Sequence, residues 1–189
     1  MIKETRVENG FVRGVPGADP RVISYKGIPF AAPPVGENRW RAPQPAKDWE
    51  GVLDCCRFGP ISMQRAPWLT QNIYTKEWNV DPTLEMSEDS LTLNIWTPAQ
   101  TVEDRLPVYV WYFGGGMMEG NPTEMEFNGE RLARRGIVVV IGFCRTHGSG
   151  NPPSVPLQTA GETAGSFPAS IPASHILPSQ HPQQVIFCK

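Results

Sequence analysis

Apolar and polar positions along this chain form three clear runs. Leu91, Leu93 and Ile95 alternate with Thr92, Asn94 and Trp96, the period-two pattern of a strand with one buried face. Val108-Tyr-Val-Trp-Tyr112 follows Pro107 and reads as a second strand. Ile137-Val-Val-Val-Ile141 is apolar throughout, the β-branched run expected of a central parallel strand covered on both sides. Between the last two, Asn128 offers a helix cap, Glu130 and Arg134 stand at i,i+4 spacing for an ion pair, and Gly136 offers a stop. Strand, loop, helix, strand is a βαβ-type crossover, so the fold class is read as α/β. Upstream, Val7-Glu-Asn-Gly-Phe-Val12 predicts a hairpin turning on Asn9-Gly10 in a type I′ geometry. Val22-Ile-Ser-Tyr25 predicts a further strand, broken after Gly27.

The pattern stops near residue 145. Of 36 charged residues, 34 lie at or before Arg145, and residues 146–189 carry only Glu162 and Lys189 together with seven prolines. Prolines at that density forbid a long helix or a central strand, and the Ser/Pro/Ala/Gln composition reads as disordered. Residues 1–145 are therefore expected to be the folded part and residues 146–189 a tail. A sheet ending at Ile137–Ile141 would leave an unpaired apolar edge, an association hazard, so marginal stability or aggregation is expected of the isolated chain.

Composition narrows the partners. The chain has 189 residues and a net charge of −2, with no basic footprint, so nucleic acid is not an expected partner. No apolar run approaches the roughly 18 residues of a membrane span. The amino terminus is charged from its third residue and lacks the apolar core of a secretory signal. Four cysteines and three histidines show neither CxxC nor metal-like spacing, so no metal and no other cofactor is expected. Adjacent Cys55 and Cys56 read as small buried or half-buried side chains. A reduced, cytoplasmic protein is the expectation.

Five segments occur in a telling order: Gly27-Ile-Pro-Phe-Ala-Ala-Pro-Pro-Val-Gly36, Arg39-Trp-Arg-Ala-Pro-Gln-Pro45, Trp49-Glu-Gly-Val52, Ser87-Glu-Asp-Ser-Leu-Thr-Leu-Asn-Ile-Trp-Thr-Pro98 and Pro107-Val-Tyr-Val-Trp-Tyr-Phe-Gly-Gly-Gly116. Together they resemble the type-B carboxylesterases, the cholinesterase and carboxylesterase branch of the α/β-hydrolases, over about residues 5–145. The resemblance implies an incomplete α/β-hydrolase fold, made of the N-terminal strands of the central sheet, followed by the Pro/Ser-rich tail. It also implies a small-molecule carboxylic ester as substrate, cleaved by a serine nucleophile with a histidine base and an acidic third member. By the same resemblance, the amides of Gly115 and Gly116 would contribute to an oxyanion hole. Glycine suits that task because it lets main chain approach a substrate in left-handed conformations. Arg39 and Glu88 would form a buried ion pair, a geometry that a planar guanidinium favours. Trp78 lies near where cholinesterases stack choline, although ordinary packing is the expectation for it. Ser62 and Ser90 fall where family members usually carry two disulfide-bonded cysteines, which agrees with a reducing compartment.

The nucleophile is the missing part. The sequence contains no Gly-x-Ser-x-Gly, the strained strand-to-helix elbow that a serine esterase requires. Gly161-Glu-Thr-Ala-Gly165 comes nearest, but its flanks predict neither a strand nor a helix, so Thr163 is not expected to attack an ester. His147, His175 and His181 all lie in the proline-rich tail, where no ordered carboxylate is expected to fix a tautomer. The chain is thus expected to keep an oxyanion loop, to lack the triad, and to be inactive alone, as a truncated or misread gene product would be. Two other readings stand beside it: a non-catalytic binding or adhesion protein that acts through its surface, and a product that does not fold. Oligomeric state is left open.

Overall fold

The computed structural model describes residues 1–66, 73–77, 81, 83–115, 119–142 and 185–188. Among the described residues eleven strands are β1 (Glu4–Val7), β2 (Gly10–Arg13), β3 (Val15–Pro16), β4 (Ile23–Pro29), β5 (Val52–Asp54), β6 (Ile61–Ser62), β7 (Met86–Ser87), β8 (Thr92–Thr97), β9 (Val108–Tyr112), β10 (Val138–Gly142) and β11 (Val185–Cys188). Among the described residues two short α-helices are α1 (Ile73–Glu77) and α2 (Glu130–Ala133). The main sheet has six strands in the order β11-β9-β10-β8-β4-β3, beside a three-stranded sheet β1-β2-β5 and a two-stranded one, β6-β7.

Strand β10 alternates across the main sheet. Val138 and Val140 join Val12, Tyr25, Leu93, Ile95 and Val110 on one face, whereas Val139 and Ile141 join Val22, Trp96 and Ala133 on the other. Covering both faces is what the unbroken β-branched run requires. β10 pairs parallel with β9 and antiparallel with β8, so its setting is mixed rather than purely parallel. Strand β8 departs from the expectation of one wet face, because all six of its residues are buried. Asn94 tolerates this because its side-chain carbonyl accepts the Gly27 amide at 3.0 Å, and Trp96 packs under α2.

Four local expectations are corrected. Strand β4 does not break after Gly27 but runs to Pro29, taking up the irregularity as a register shift between Tyr25 and Ile28. The β1–β2 hairpin pairs Val7 with Gly10, so its loop residues are Glu8 and Asn9. Asn9 keeps a negative φ, which excludes type I′. Gly10 serves close packing instead, since a Cβ there would stand 2.5–2.8 Å from the Trp49 indole. At α2 the N-cap is Gly129, while the Asn128 side chain accepts the Glu130 amide at 3.0 Å.

The fourth correction concerns the helix charges. Glu130 and Arg134 do not pair along α2; both reach across to the 17–21 turn. The Glu130 carboxylate accepts the amides of Ala18 and Asp19, and Arg134 Nε meets Asp19 Oδ2 at 3.0 Å. Asp19 also takes Arg21 through Nε and Nη2 at 3.0 and 2.7 Å. Hydrogen bonds from the Arg21 side chain and amide, with Arg134 nearby, hold its carboxyl far below the usual carboxylate range. A depressed folded-state pKa contributes stability above the unfolded value of about 3.9 and loses it as pH falls toward the folded value. Urea unfolding between pH 2 and 6 is therefore expected to show an acid limb that Asp19→Asn flattens; an unchanged limb would assign acid sensitivity elsewhere.

Strand β10 is not the uncovered edge that the sequence suggested. It lies between β8 and β9, and β11 pairs parallel with the outer side of β9, from Val185 opposite Val108 to Cys188 opposite Trp111. The tail thus contributes an edge strand, which its prolines permit because the last of them, Pro182, precedes it.

Candidate active site

β9 and β10 are parallel, so the turn leaving β9 emerges at the carboxyl ends of the strands, where open α/β sheets hold ligands. Phe113 directly follows β9 as a buried anchor, and its ring lies 6.1 Å from that of Phe127, which in turn lies 6.1 Å from Trp111. These rings form an apolar floor. Above it, Gly114 and Gly115 are exposed, and among the described residues no hydrogen bond takes up either amide.

The loop closes on itself. The Glu119 amide donates to the Gly115 carbonyl at 3.2 Å. Gly115 has φ +130, and a Cβ there would overlap the Glu119 carbonyl oxygen. Gly120 has φ +103, and a Cβ would sit 2.8 Å from the Gly114 oxygen. Both positions therefore need glycine, for backbone angle and for space. Gly116, the second residue expected to donate, lies outside the described residues.

The returning limb is buried. Gln64, 4% exposed, donates through Nε2 to the Gly120 carbonyl at 3.0 Å and accepts the Gly120 amide on Oε1 at 2.8 Å. Beyond it, Asn121 and Glu124 are both buried, and Glu124 Oε1 accepts from the Asn121 amide and side chain at 3.3 Å. Asn121 Oδ1 accepts the Thr123 amide and hydroxyl. Sequence reasoning missed Gln64, Asn121 and Glu124. No spacing rule links Gln64 to a glycine 56 residues away, and short polar side chains near prolines look like any turn.

Arg39 and Glu88 meet in a two-pronged pair, Nε to Oε1 at 2.8 Å and Nη2 to Oε2 at 2.6 Å. Hydrogen bonding to Glu88 raises the Arg39 pKa further. The pair is half exposed (49% and 42%), not buried as the resemblance implied, so solvent screening keeps its worth small. Arg39 directly follows the Gly36–Asn38 turn and Glu88 directly follows β7, so both side chains leave exposed loop positions rather than a core-facing strand position. Ser62 and Ser90 are both buried and their hydroxyls stand 2.9 Å apart. Cys55 is buried and Cys56 exposed, and burial, with Asp54 and Cys56 beside it, pushes the Cys55 thiol up to about 12. Trp78, Thr163, His147, His175 and His181 lie outside the described residues.

A profile described as "Carboxylesterase family" matches residues 3–144, three quarters of the sequence. This chain belongs to the carboxylesterase family. Fumonisin B1 esterase of Sphingopyxis macrogoltabida is 41% identical over 135 residues, covering 70% of this chain and 22% of that protein. A medium-chain fatty acyl-CoA hydrolase precursor of Anas platyrhynchos is 39% identical over 140 residues, covering 70% and 24%. A solved PNB esterase superposes with a TM-score of 0.65 at 32% identity, covering 76% of this carboxylesterase-family chain and 28% of that one. The chain therefore spans about a quarter of the length of these relatives. Among the described residues, no helix is long and apolar enough to cross a membrane.

Proposed function

We propose that this polypeptide is the N-terminal part of a carboxylic ester hydrolase, carrying the oxyanion loop of a serine esterase without the serine. One observation carries the reading: a glycine loop at the carboxyl end of β9, in which the exposed Gly115 amide has no partner among the described residues. In ester hydrolysis a hydroxyl oxygen attacks the carbonyl carbon, the carbonyl oxygen gains negative charge, the alcohol leaves with a proton, and water then cleaves the acyl intermediate. Aimed N–H groups stabilise that charge only as it develops, which lowers the barrier. Gly115 and Gly116 are the proposed donors, and small-molecule carboxylic esters the proposed substrate class. Arg39 and Glu88 have a structural part in this reading, tying the loop after β4 to the segment before β8.

Two assays test it. The purified chain is expected to hydrolyse short-chain p-nitrophenyl esters no faster than buffer and to form no covalent adduct with an organophosphate. Turnover that disappears in Thr163→Ala would overturn the missing-nucleophile half. For the oxyanion half, residues 1–142 joined to the remaining part of the PNB esterase are expected to restore turnover, which Gly115→Ala, by displacing the amide through its clash with the Glu119 carbonyl, then lowers by about 10². Undiminished turnover in that variant would end the oxyanion reading.

A further inference from the structure

We infer that Gln64 is a positioning residue for the glycine loop, a two-point amide clamp on Gly120 that sets where Gly115 stands; its link to ester chemistry rests on the oxyanion reading above. The carboxamide is planar and nearly out of solvent. It meets the Gly120 peptide as a neighbouring strand would, giving one hydrogen bond and taking one. Its Nε2 also reaches the Ser62 carbonyl at 3.2 Å, which ties the clamp to β6. The base of that strand is held in turn by the hydroxyl contact between Ser62 and Ser90.

From Gly120 the constraint passes along the loop through a short path. The Gly120 peptide is confined by Gln64 on one side and by the Gly114 oxygen and Phe113 ring on the other. The preceding residue, Glu119, donates its amide to the Gly115 carbonyl. Fixing Gly120 therefore fixes the partner that holds Gly115. Exposed glycines have the largest backbone freedom to lose. An oxyanion donor is useful only if it is aimed before charge develops. A buried side chain from a distant segment supplies that aim without occupying the loop's open face.

Hydrogen exchange on the full chain tests the clamp. Glu119, Gly120 and Asn121 present three consecutive bonded amides, to Gly115 O, Gln64 Oε1 and Glu124 Oε1. Gln64→Met keeps length and bulk but neither hydrogen bond. It is expected to lower protection at Glu119 and Gly120 about tenfold while β9 and β10 amides keep theirs. Gln64→Glu keeps an acceptor for the Gly120 amide but, ionised, sets a buried carboxylate oxygen against the Gly120 and Ser62 carbonyls. Protection at Gly120 should therefore fall at least as far as in Gln64→Met at neutral pH and recover where acid protonates the carboxyl into a donor. Wild-type protection in Gln64→Met would show that packing alone holds the loop, and an equal loss throughout β9 and β10 would show general destabilisation; either overturns the clamp. Failure of the oxyanion reading appears elsewhere, in the turnover of the joined enzyme carrying Gly115→Ala.

Discussion

Replacing Ser62 and Ser90 together with cysteine is expected to join them under mild oxidation and to raise the free energy of unfolding by about 3–4 kcal/mol. The two hydroxyl oxygens already stand 2.9 Å apart in a buried site, and longer C–S bonds close much of the remaining distance to the S–S length of about 2.05 Å. The gain comes mainly from the unfolded state, where closing a loop of about 30 residues removes chain entropy. For a chain of this size it corresponds to a rise in Tm of about 10 °C, which a reducing agent should abolish. Each single variant is expected to be slightly less stable than the wild type, because it replaces one side of a buried hydrogen bond with a weaker donor. Loss of two thiols by titration, with the change in Tm, measures the outcome. A double variant that keeps both thiols under oxidant would mean that the backbones do not admit a bridge.

Gly115→Ala is expected to destabilise the chain by about 2–3 kcal/mol, whereas Gly114→Ala changes it by less than about 0.5 kcal/mol. The contrast between neighbours is the informative part. At Gly115 a methyl group meets the Glu119 carbonyl and the backbone has a positive φ that L-residues rarely adopt. At Gly114 nothing lies within 4 Å of the added carbon, and the backbone has no positive φ. Urea unfolding of the two variants measures the difference, and amide exchange at Glu119 locates it. Equal effects at both positions would mean that the loop yields freely, which would weaken the case for a preorganised anion cradle.

Much of the sheet was legible in the sequence because its signals are local. The β-branched run of β10 needs two covered faces, and the alternation in β8 needs at least one. The triple glycine after a strand marked the loop, and within it Gly115 has a backbone angle and a neighbouring carbonyl that exclude a side chain. Side-chain partners were much less legible. Glu130 and Arg134 have ideal spacing for each other, yet both bind the 17–21 turn, which offers two amides and a carboxylate rather than one flexible ion partner. Asn9-Gly10 carries a strong turn signal, yet the glycine is claimed by the Trp49 ring.

The 189 residues by themselves determined the family and the order of the sheet's main strands along the chain, and they contain no Gly-x-Ser-x-Gly pentapeptide. These follow from residue type and short-range periodicity, which no folding is needed to read. Tertiary structure alone decided that β11 covers β9, that Ser62 faces Ser90, and that Gln64 grips Gly120. Each of those contacts joins residues dozens of positions apart. Such a contact forms because the surrounding core brings two backbones together and leaves buried polar groups that must find partners there.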